Sequence, residues 1–189
     1  RGAAQLLEES LTEEQREYTS LIIAQADRLR NLVDRLLGPY KPPQRQLCNL
    51  HQIIERVSQL AQIDNPNEVS FSRDYDPSIP DFLLDPELIE QALLNIVRNA
   101  QQVLVTGGDI VLQSRILHQH TIHGRRHRLV ATVKVIDNGP GIPAEIKDTL
   151  FYPMVSGKPG GTGLGLSISQ TLIHQHGGWI DCESWPGRT

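Results

Sequence analysis

Cysteine is scarce in this 189-residue chain: Cys48 and Cys182 stand far apart. That excludes a paired metal-ligand motif and a disulfide framework, and the chain reads as a reduced, cytoplasmic protein with two structural thiols. Positive charge is not in excess. Eighteen Lys and Arg against 22 Asp and Glu leave a net charge of −4, so there is no whole-chain electrostatic case for nucleic acid. No apolar run approaches the roughly 18 residues needed to span a membrane. No leader is visible, and a chain opening at Arg1 reads as a piece of a longer one. Internal repeats and low-complexity tracts are missing. In the glycine-rich stretch GGTGLGLSI, Gly160 to Ile168, the Gly-Lys-Ser/Thr of a P-loop is missing too.

What is present is globular: 39% hydrophobic and 21% charged residues, enough for one ordinary domain and a smaller piece. Residues 1–9 read as the end of a helix. Ser10 or Thr12 caps a second helix, whose stripe of Tyr18, Leu21, Ile22, Leu29, Leu32, Val33, Leu36 and Leu37 recurs in steps of three and four. Such a helix, about 39 Å long at 1.5 Å per residue, cannot bury its stripe alone. It predicts a helical hairpin over 1–38 and a second hairpin from another subunit, a homodimer. The proline-rich GPYKPPQRQ predicts a linker over 39–46.

Beyond it, over 47–189, the texture is α+β. Leu50, Ile53, Ile54, Val57, Leu60 and Ala61 predict a helix, and Glu68–Asp74 a strand. Asp85-Pro86 predicts the start of a helix running to Val103. Strands are expected near 109–117 and 128–136, joined as a hairpin by the polar connection HQHTIHGRRH, and a short helix ends near Phe151. Another helix runs from about Gly163 to His176, followed by a strand near Trp179–Ser184. The pattern is helices on one face of a mixed, largely antiparallel sheet, with a final edge strand expected beyond Thr189.

Three segments carry the chemistry. In NIVRNA, Asn95 and Asn99 lie four apart, so both amides project from one helix face. They either cap a neighbouring loop or offer hard, neutral oxygen to Mg²⁺. In DNGPGIP, an apolar strand ends at Asp137 and two glycines, Gly139 and Gly141, open the backbone. That is either a turn or a place where a carboxylate meets an exocyclic amine and a flat base lies on the main chain. GGTGLGLSI runs into an apolar helix, which is either plain core packing or a phosphate site at a helix N-terminus.

In this order, NIVRNA, DNGPGIP, FYPMVSG and GGTGLGLSI resemble the N box, first glycine box, F box and second glycine box of two-component sensor histidine kinases. ADRLRNLVDRLLGP, RDYDPS, DTLFYPMVSG and SWPG resemble its nitrogen-regulation branch. The resemblance implies a Bergerat (GHKL) ATP-binding fold from about residue 47. Carried over, Asn99 coordinates Mg²⁺ with Asn95 beside it, and Asp137 meets the adenine amine in a pocket shaped by Gly139 and Gly141. Phe151 and the loop to Gly161 form a lid in which Lys158 either reaches phosphate or stays solvated. Gly161, Thr162, Gly163, Leu164, Gly165 and Leu166 bring main-chain donors to the phosphates of ATP. Related ATPases of gyrase, Hsp90 and MutL type hold Glu where this chain has Asn95, and an amide cannot act as a base.

The resemblance places the phosphoacceptor histidine on the first helix of the hairpin, just upstream of RGAAQLL. None of His51, His118, His120, His123, His127, His174 and His176 stands in that context. The expectation is a core that binds Mg-ATP without phosphorylating itself. The intact protein would pass phosphate to an NtrC-type response-regulator receiver domain, promote its dephosphorylation, and answer to a PII-type signal protein. The alternatives are a Bergerat-fold ATPase and a nucleotide-binding regulatory module without catalysis. His118, His120, His123 and His127 raise a metal site, and Arg125, Arg126 and Arg128 a regulatory docking site, against plain solvation of both. Trp179 and Trp185 are expected to pack.

Overall fold

The computed structural model describes residues 18–19, 22–23, 42–122, 124–156 and 162–185. The chain divides into two compact units, Arg1–Lys41 and Pro42–Thr189. In the first, Tyr18, Thr19, Ile22 and Ile23 are helical, with Tyr18 and Ile22 exposed. The rest of the expected helical hairpin lies outside the described residues.

The second unit begins with strand β1, Gln46–Cys48, and helix α1, Leu50–Ile63. Asn49 caps α1 by accepting the His51 N–H at 2.9 Å. Leu50, Ile53, Ile54, Val57 and Ala61 are buried along one face, while Leu60 is exposed. Strand β2, Ser70–Asp74, and strand β3, Phe82–Leu84, follow. Helix α2 runs Pro86–Val103, as the Asp85-Pro86 signal predicts. Its buried residues Ile89, Ala92, Leu93, Val97 and Ala100 repeat at helical spacing, each large one contributing about 1.5–3 kcal/mol of burial.

Strands β4, Asp109–Ile122, and β5, Arg125–Asp137, form a long antiparallel ribbon. Strand β2 joins it in parallel, Ser70 opposite Asp109 through Asp74 opposite Gln113. A parallel pair needs a crossover, which β3 and α2 supply. The other sheet is the antiparallel pair β1–β3. Ile110 and Leu112 point inward from β4 and close one core with α1 and α2. Two buried polar side chains fasten these layers. Gln101 Nε2 donates to the Ala61 carbonyl at 3.0 Å, satisfying the end of α1. Ser114 Oγ meets His51 Nε2 at 2.9 Å and accepts the Asp76 N–H at 3.2 Å.

Helix α3 is one turn, Ala144–Lys147. Helix α4 runs Gly165–Gln175. It lies against α2, where the buried Ser169 Oγ donates to the Ala92 carbonyl at 3.0 Å.

The structure corrects four expectations. HQHTIHGRRH is not a loop: β4 reaches Ile122 and β5 resumes at Arg125, leaving positions 123–124 as the connection. Its polar composition came from side chains facing solvent on both faces, while the ladder continues through the backbone. Gly124, at φ +75°, provides the left-handed turn. The short helix ends at Lys147, with turns carrying the chain to Phe151. Residues 179–184 form no strand; Asp181 accepts the Cys182 N–H and Ser184 accepts the Ile142 N–H, so these polar groups serve local turns and a neighbouring loop. Trp179 and Trp185 are 55% and 49% exposed, not packed away; without a strand to turn them inward, only the Ser184 hydroxyl and the Trp185 backbone are seen against the glycine loop, at Gly141.

Asp85 is a hub. Oδ1 accepts the Glu87 and Leu88 N–H groups at 3.2 Å each, and Oδ2 accepts the Gln44 N–H at 2.7 Å. Its own N–H donates to His176 Nε2 at 3.0 Å, so His176 holds its proton on Nδ1 and donates it to the Leu172 carbonyl at 2.8 Å. One residue therefore ties the start of α2 to the end of α4. Asp85→Ala is expected to destabilise the unit by about 1–2 kcal/mol, read as a lower midpoint in urea with an unchanged slope.

Candidate functional site

The site is built around α2. Asn95 and Asn99 are half-buried on its face toward α4. Asn95 Nδ2 donates to the Gly165 carbonyl at 3.4 Å. A methyl group built on Gly165 would stand 3.8 Å from Asn99 Nδ2 and 3.9 Å from Asn95 Cβ. Residues seventy positions apart in the chain thus meet at the first turn of α4. Among the described residues, no hydrogen-bond partner fills the Asn99 amide.

Helix α4 begins without a side-chain cap. The Leu164 carbonyl accepts the Ile168 N–H at 3.0 Å and the Ser167 hydroxyl at 2.9 Å. Among the described residues no side chain is seen to cap the main-chain donors ahead of them, and the helix dipole adds positive potential there. The Leu164 side chain is buried, so what it offers a ligand is main chain. Leu166 is half-buried and Thr162 exposed.

Asp137 closes β5 and is 6% exposed. Its Oδ1 accepts the Gly139 N–H at 2.9 Å. A Cβ on Gly139 would fall 2.7 Å from that oxygen and 3.2 Å from Val103 Cγ2, so the tight turn requires glycine. Gly139 therefore brings the Asp137 carboxylate to the neighbourhood of Val103 at the end of α2, a residue about 6 Å along the helix axis from Asn99 and about 12 Å from Asn95. Gly141, at φ +84°, lies against Ser184 Oγ and the Trp185 backbone, 3.2 Å from a built Cβ. Ser184 Oγ accepts the Ile142 N–H at 2.8 Å and holds the glycine loop. Burial, reinforced by the carboxylates of Asp181 and Asp137, keeps the Cys182 thiol above its ordinary range, so it stays protonated and uncharged near Asp137.

Phe151 is half-buried in the turn after α3, while Tyr152 and Met154 are exposed. The Met154 N–H donates to the Gly163 carbonyl at 3.1 Å, fastening the F-box turn to the second glycine box. Lys158 and Gly161 lie outside the described residues. Sequence reading missed Ser169, His176 and Ser184. Ser169 had a faint signal, one polar residue on the buried stripe of α4; the other two act on partners remote in sequence. An open groove of about 620 Å³ lined by His51, Glu55, Arg56, Arg73 and Tyr75 lies elsewhere. Its charges are already engaged, Arg73 with Glu55 at 2.7 Å and Arg56 with Glu90 at 3.2 Å. Among the described residues no cluster of His, Cys, Asp or Glu suits a metal ion, so a cation here would rest on amide oxygen and substrate phosphate. Nor is any described helix long and apolar enough to cross a membrane.

Residues 84–189 match the family described as Histidine kinase-, DNA gyrase B-, and HSP90-like ATPase. Residues 1–41 match the His Kinase A (phospho-acceptor) domain. A protein of Vibrio alginolyticus named Sensory histidine kinase/phosphatase NtrB is 59% identical over 192 residues, which cover 100% of this chain and 55% of that protein. Its namesake in Escherichia coli O157:H7 is 58% identical over 191 residues, with the same coverage of 100% and 55%. The chain spans about half the length of the curated relatives it matches. Full-length ShkA, solved in complex with AMPPNP, shares the fold with a TM-score of 0.70 at 25% identity, over 99% of this chain and 40% of that one.

Proposed function

The chain belongs to the histidine kinase, gyrase B and HSP90-like ATPase family as the ATP-binding core of an NtrB-like sensor kinase, and from that premise we propose how its residues serve phosphoryl transfer. The carrying observation is the meeting of Asn95 and Asn99 with the uncapped start of α4 at Gly165. ATP lies along α2: adenine at Asp137, whose carboxylate meets the exocyclic amine, and phosphates at the N-terminus of α4. Main-chain N–H groups of residues 163–166 bind phosphate oxygens, and the turn at Phe151–Val155 covers them. Among the described residues the Asn99 amide has no hydrogen-bond partner, and its oxygen would hold Mg²⁺, a hard cation that takes a few protein oxygens alongside phosphate and would supply neutralisation of phosphate charge.

Asn95 does two things. Its N–H holds Gly165 in place, and its amide, which is no base, leaves water unactivated. The γ-phosphoryl is kept for a histidine: the P–O bond to ADP breaks as a P–N bond to imidazole forms, and transfer to an aspartate oxygen of a receiver domain follows. Positioning and charge neutralisation supply the rate.

The matched regions support a division into a dimerisation hairpin over 1–38, a linker over 39–46 and the catalytic unit from 47. In the whole protein the reading extends to a homodimer in the cytoplasm. It serves nitrogen regulation, with a PII-type protein as controller and dephosphorylation of the regulator as a second activity. This chain by itself binds Mg-ATP without accepting phosphate. Mg-ATP at a hundred times its Kd is expected to stabilise the chain by about 2.7 kcal/mol. Turnover without an acceptor should stay well below the ~1 s⁻¹ at which kinases work. A melting curve blind to Mg-ATP would sink the nucleotide site, and rapid steady-state hydrolysis would sink the role given to Asn95.

A further inference from the structure

Residues 110–136 contain five basic side chains, Arg115, Arg125, Arg126, Arg128 and Lys134, and no acidic one. The rest of residues 42–189 holds seven basic against fifteen acidic side chains, a net charge of −8. The structure gives this segregation a shape. Strand β2 covers β4 only from Asp109 to Gln113, and the β4–β5 ladder then continues to Ile122 opposite Arg125. Toward its tip, His118, His120, Arg125, Arg126 and Arg128 are exposed, and His120 stands directly opposite His127. Among the described residues, the three tip arginines take part in no ion pair, whereas Arg56, Arg73 and Arg115 do.

A two-stranded ribbon is marginal in water by itself, and clustering like charges on it weakens it further. Its pairing is interrupted at one position without a change of register: Gln119 adopts φ +52°, and no pair is formed there between His118 opposite Leu129 and His120 opposite His127. Left-handed backbone at a non-glycine residue costs on the order of 1 kcal/mol and gathers at functional sites. These features oppose stability and favour presentation.

We propose that the β4–β5 ribbon is a docking arm for the acidic face of the receiver domain that accepts the phosphoryl group. The inference rests on the kinase reading above. An aspartate that takes phosphate with Mg²⁺ needs further carboxylates around the cation, so its face is negative. A catalytic unit whose remaining net charge is −8 repels such a face, and concentrated basic charge on a projecting arm reverses that field where the partner approaches. Nucleic acid fits less well, because the ribbon tip from Leu117 to Leu129 holds no Phe, Tyr or Trp on which a base can stack.

The test is titration of the full chain with a purified receiver domain of a nitrogen-control response regulator, comparing wild type with Arg125→Glu/Arg126→Glu/Arg128→Glu. Affinity should fall at least about tenfold on reversal. Raising salt from about 50 to 200 mM should weaken the wild type several-fold and the variant little. The stabilisation by Mg-ATP, read on both, should be equal. If reversal perturbs folding, Arg125→Gln/Arg126→Gln/Arg128→Gln takes its place with a smaller loss in the same direction. Equal receiver affinity in both forms, with Mg-ATP binding intact, overturns the arm and leaves the kinase reading standing. Loss of Mg-ATP binding by the wild type overturns the kinase reading itself. Reversal that abolishes instead self-association of the chain, or binding of a PII-type protein, while receiver affinity holds, also overturns the proposal.

Discussion

Asn99→Ala should leave the melting temperature of the ligand-free chain almost where it was and abolish its response to Mg-ATP. Both halves follow from the same geometry. The amide is half-buried on α2 and hydrogen-bonds to nothing among the described residues, so its removal orphans no group. Alanine is the best helix former, and the change in stability should stay within about 0.5 kcal/mol. The wild type at a hundred times its Kd gains about 2.7 kcal/mol, a shift of roughly 5–11 °C for a unit of this size. Loss of a metal ligand that raises Kd about a hundredfold leaves only about 0.4 kcal/mol at the same concentration, roughly 1 °C. Asn95→Ala provides the contrast, since it removes the α2 hydrogen bond to the Gly165 carbonyl, which then relies on Ser169 Oγ of its own helix at 3.0 Å, and should lower the ligand-free melting temperature as well. An Asn99→Ala chain that keeps the full shift would move the cation, and with it the phosphates, away from this face of α2.

The pairing of these amides shows where local information ends. Helix α2 was legible to the residue because everything that defines it is local: Asp85 as cap, Pro86 in the first turn, and apolar residues at steps of three and four. The four-residue spacing of Asn95 and Asn99 told that they share a face. It could not tell that the face meets Gly165, seventy positions on. That came from resemblance of the boxes as a set, and the geometry now gives it a physical form. The link from Asp85 to His176 spans ninety-one positions and had no local trace. Strands β1 and β3 are three residues each and pair with one another across the start of the unit, too short for any alternation to register. The ribbon was legible as a hairpin but its length was not: with both faces wet near its tip, the composition there resembled a connection while the backbone ladder ran on.

The same hydrogen-bond pattern explains why the site is coherent. Ser169 fixes α4 to α2 at Ala92, Asn95 fixes it at Gly165, and His176 fixes its far end to the cap of α2. Two helices that each present half of the proposed site are thus bolted at three levels, and on the proposed reading the nucleotide meets groups whose relative positions are set before it arrives. Preorganisation of this kind is what phosphoryl transfer draws on. The segment leading in from residue 42 touches both helices, Gln44 at Asp85 and Arg45 at the Gln175 carbonyl, 2.7 Å in each case.

Gly163→Ala should be the most damaging glycine-to-alanine change among the described residues, and Gly177→Ala separates its causes. Both glycines are left-handed, at φ +62° and +72°, and alanine there costs roughly 1–2 kcal/mol. Around Gly177 a Cβ would meet no atom within 4 Å, so the conformational cost is the whole effect. At Gly163 the same atom would stand 2.5 Å from the Val155 carbonyl oxygen, 2.6 Å from Met154 C and 2.7 Å from Val155 N. All three are main chain, so no rotamer change relieves them, and overpacking adds about 1–3 kcal/mol. If the fold absorbs this strain, the ligand-free melting temperature drops by more than twice the Gly177→Ala shift. If instead the Phe151–Val155 turn swings away, the Met154–Gly163 hydrogen bond at 3.1 Å is lost. Stability is then largely kept, but Mg-ATP binds at least tenfold more weakly, because the turn that covers the phosphates is unfastened from the loop that binds them. Melting curves with and without Mg-ATP distinguish these two routes. A Gly163→Ala chain indistinguishable from Gly177→Ala in both measurements would show that this contact neither holds the turn nor shapes the phosphate loop.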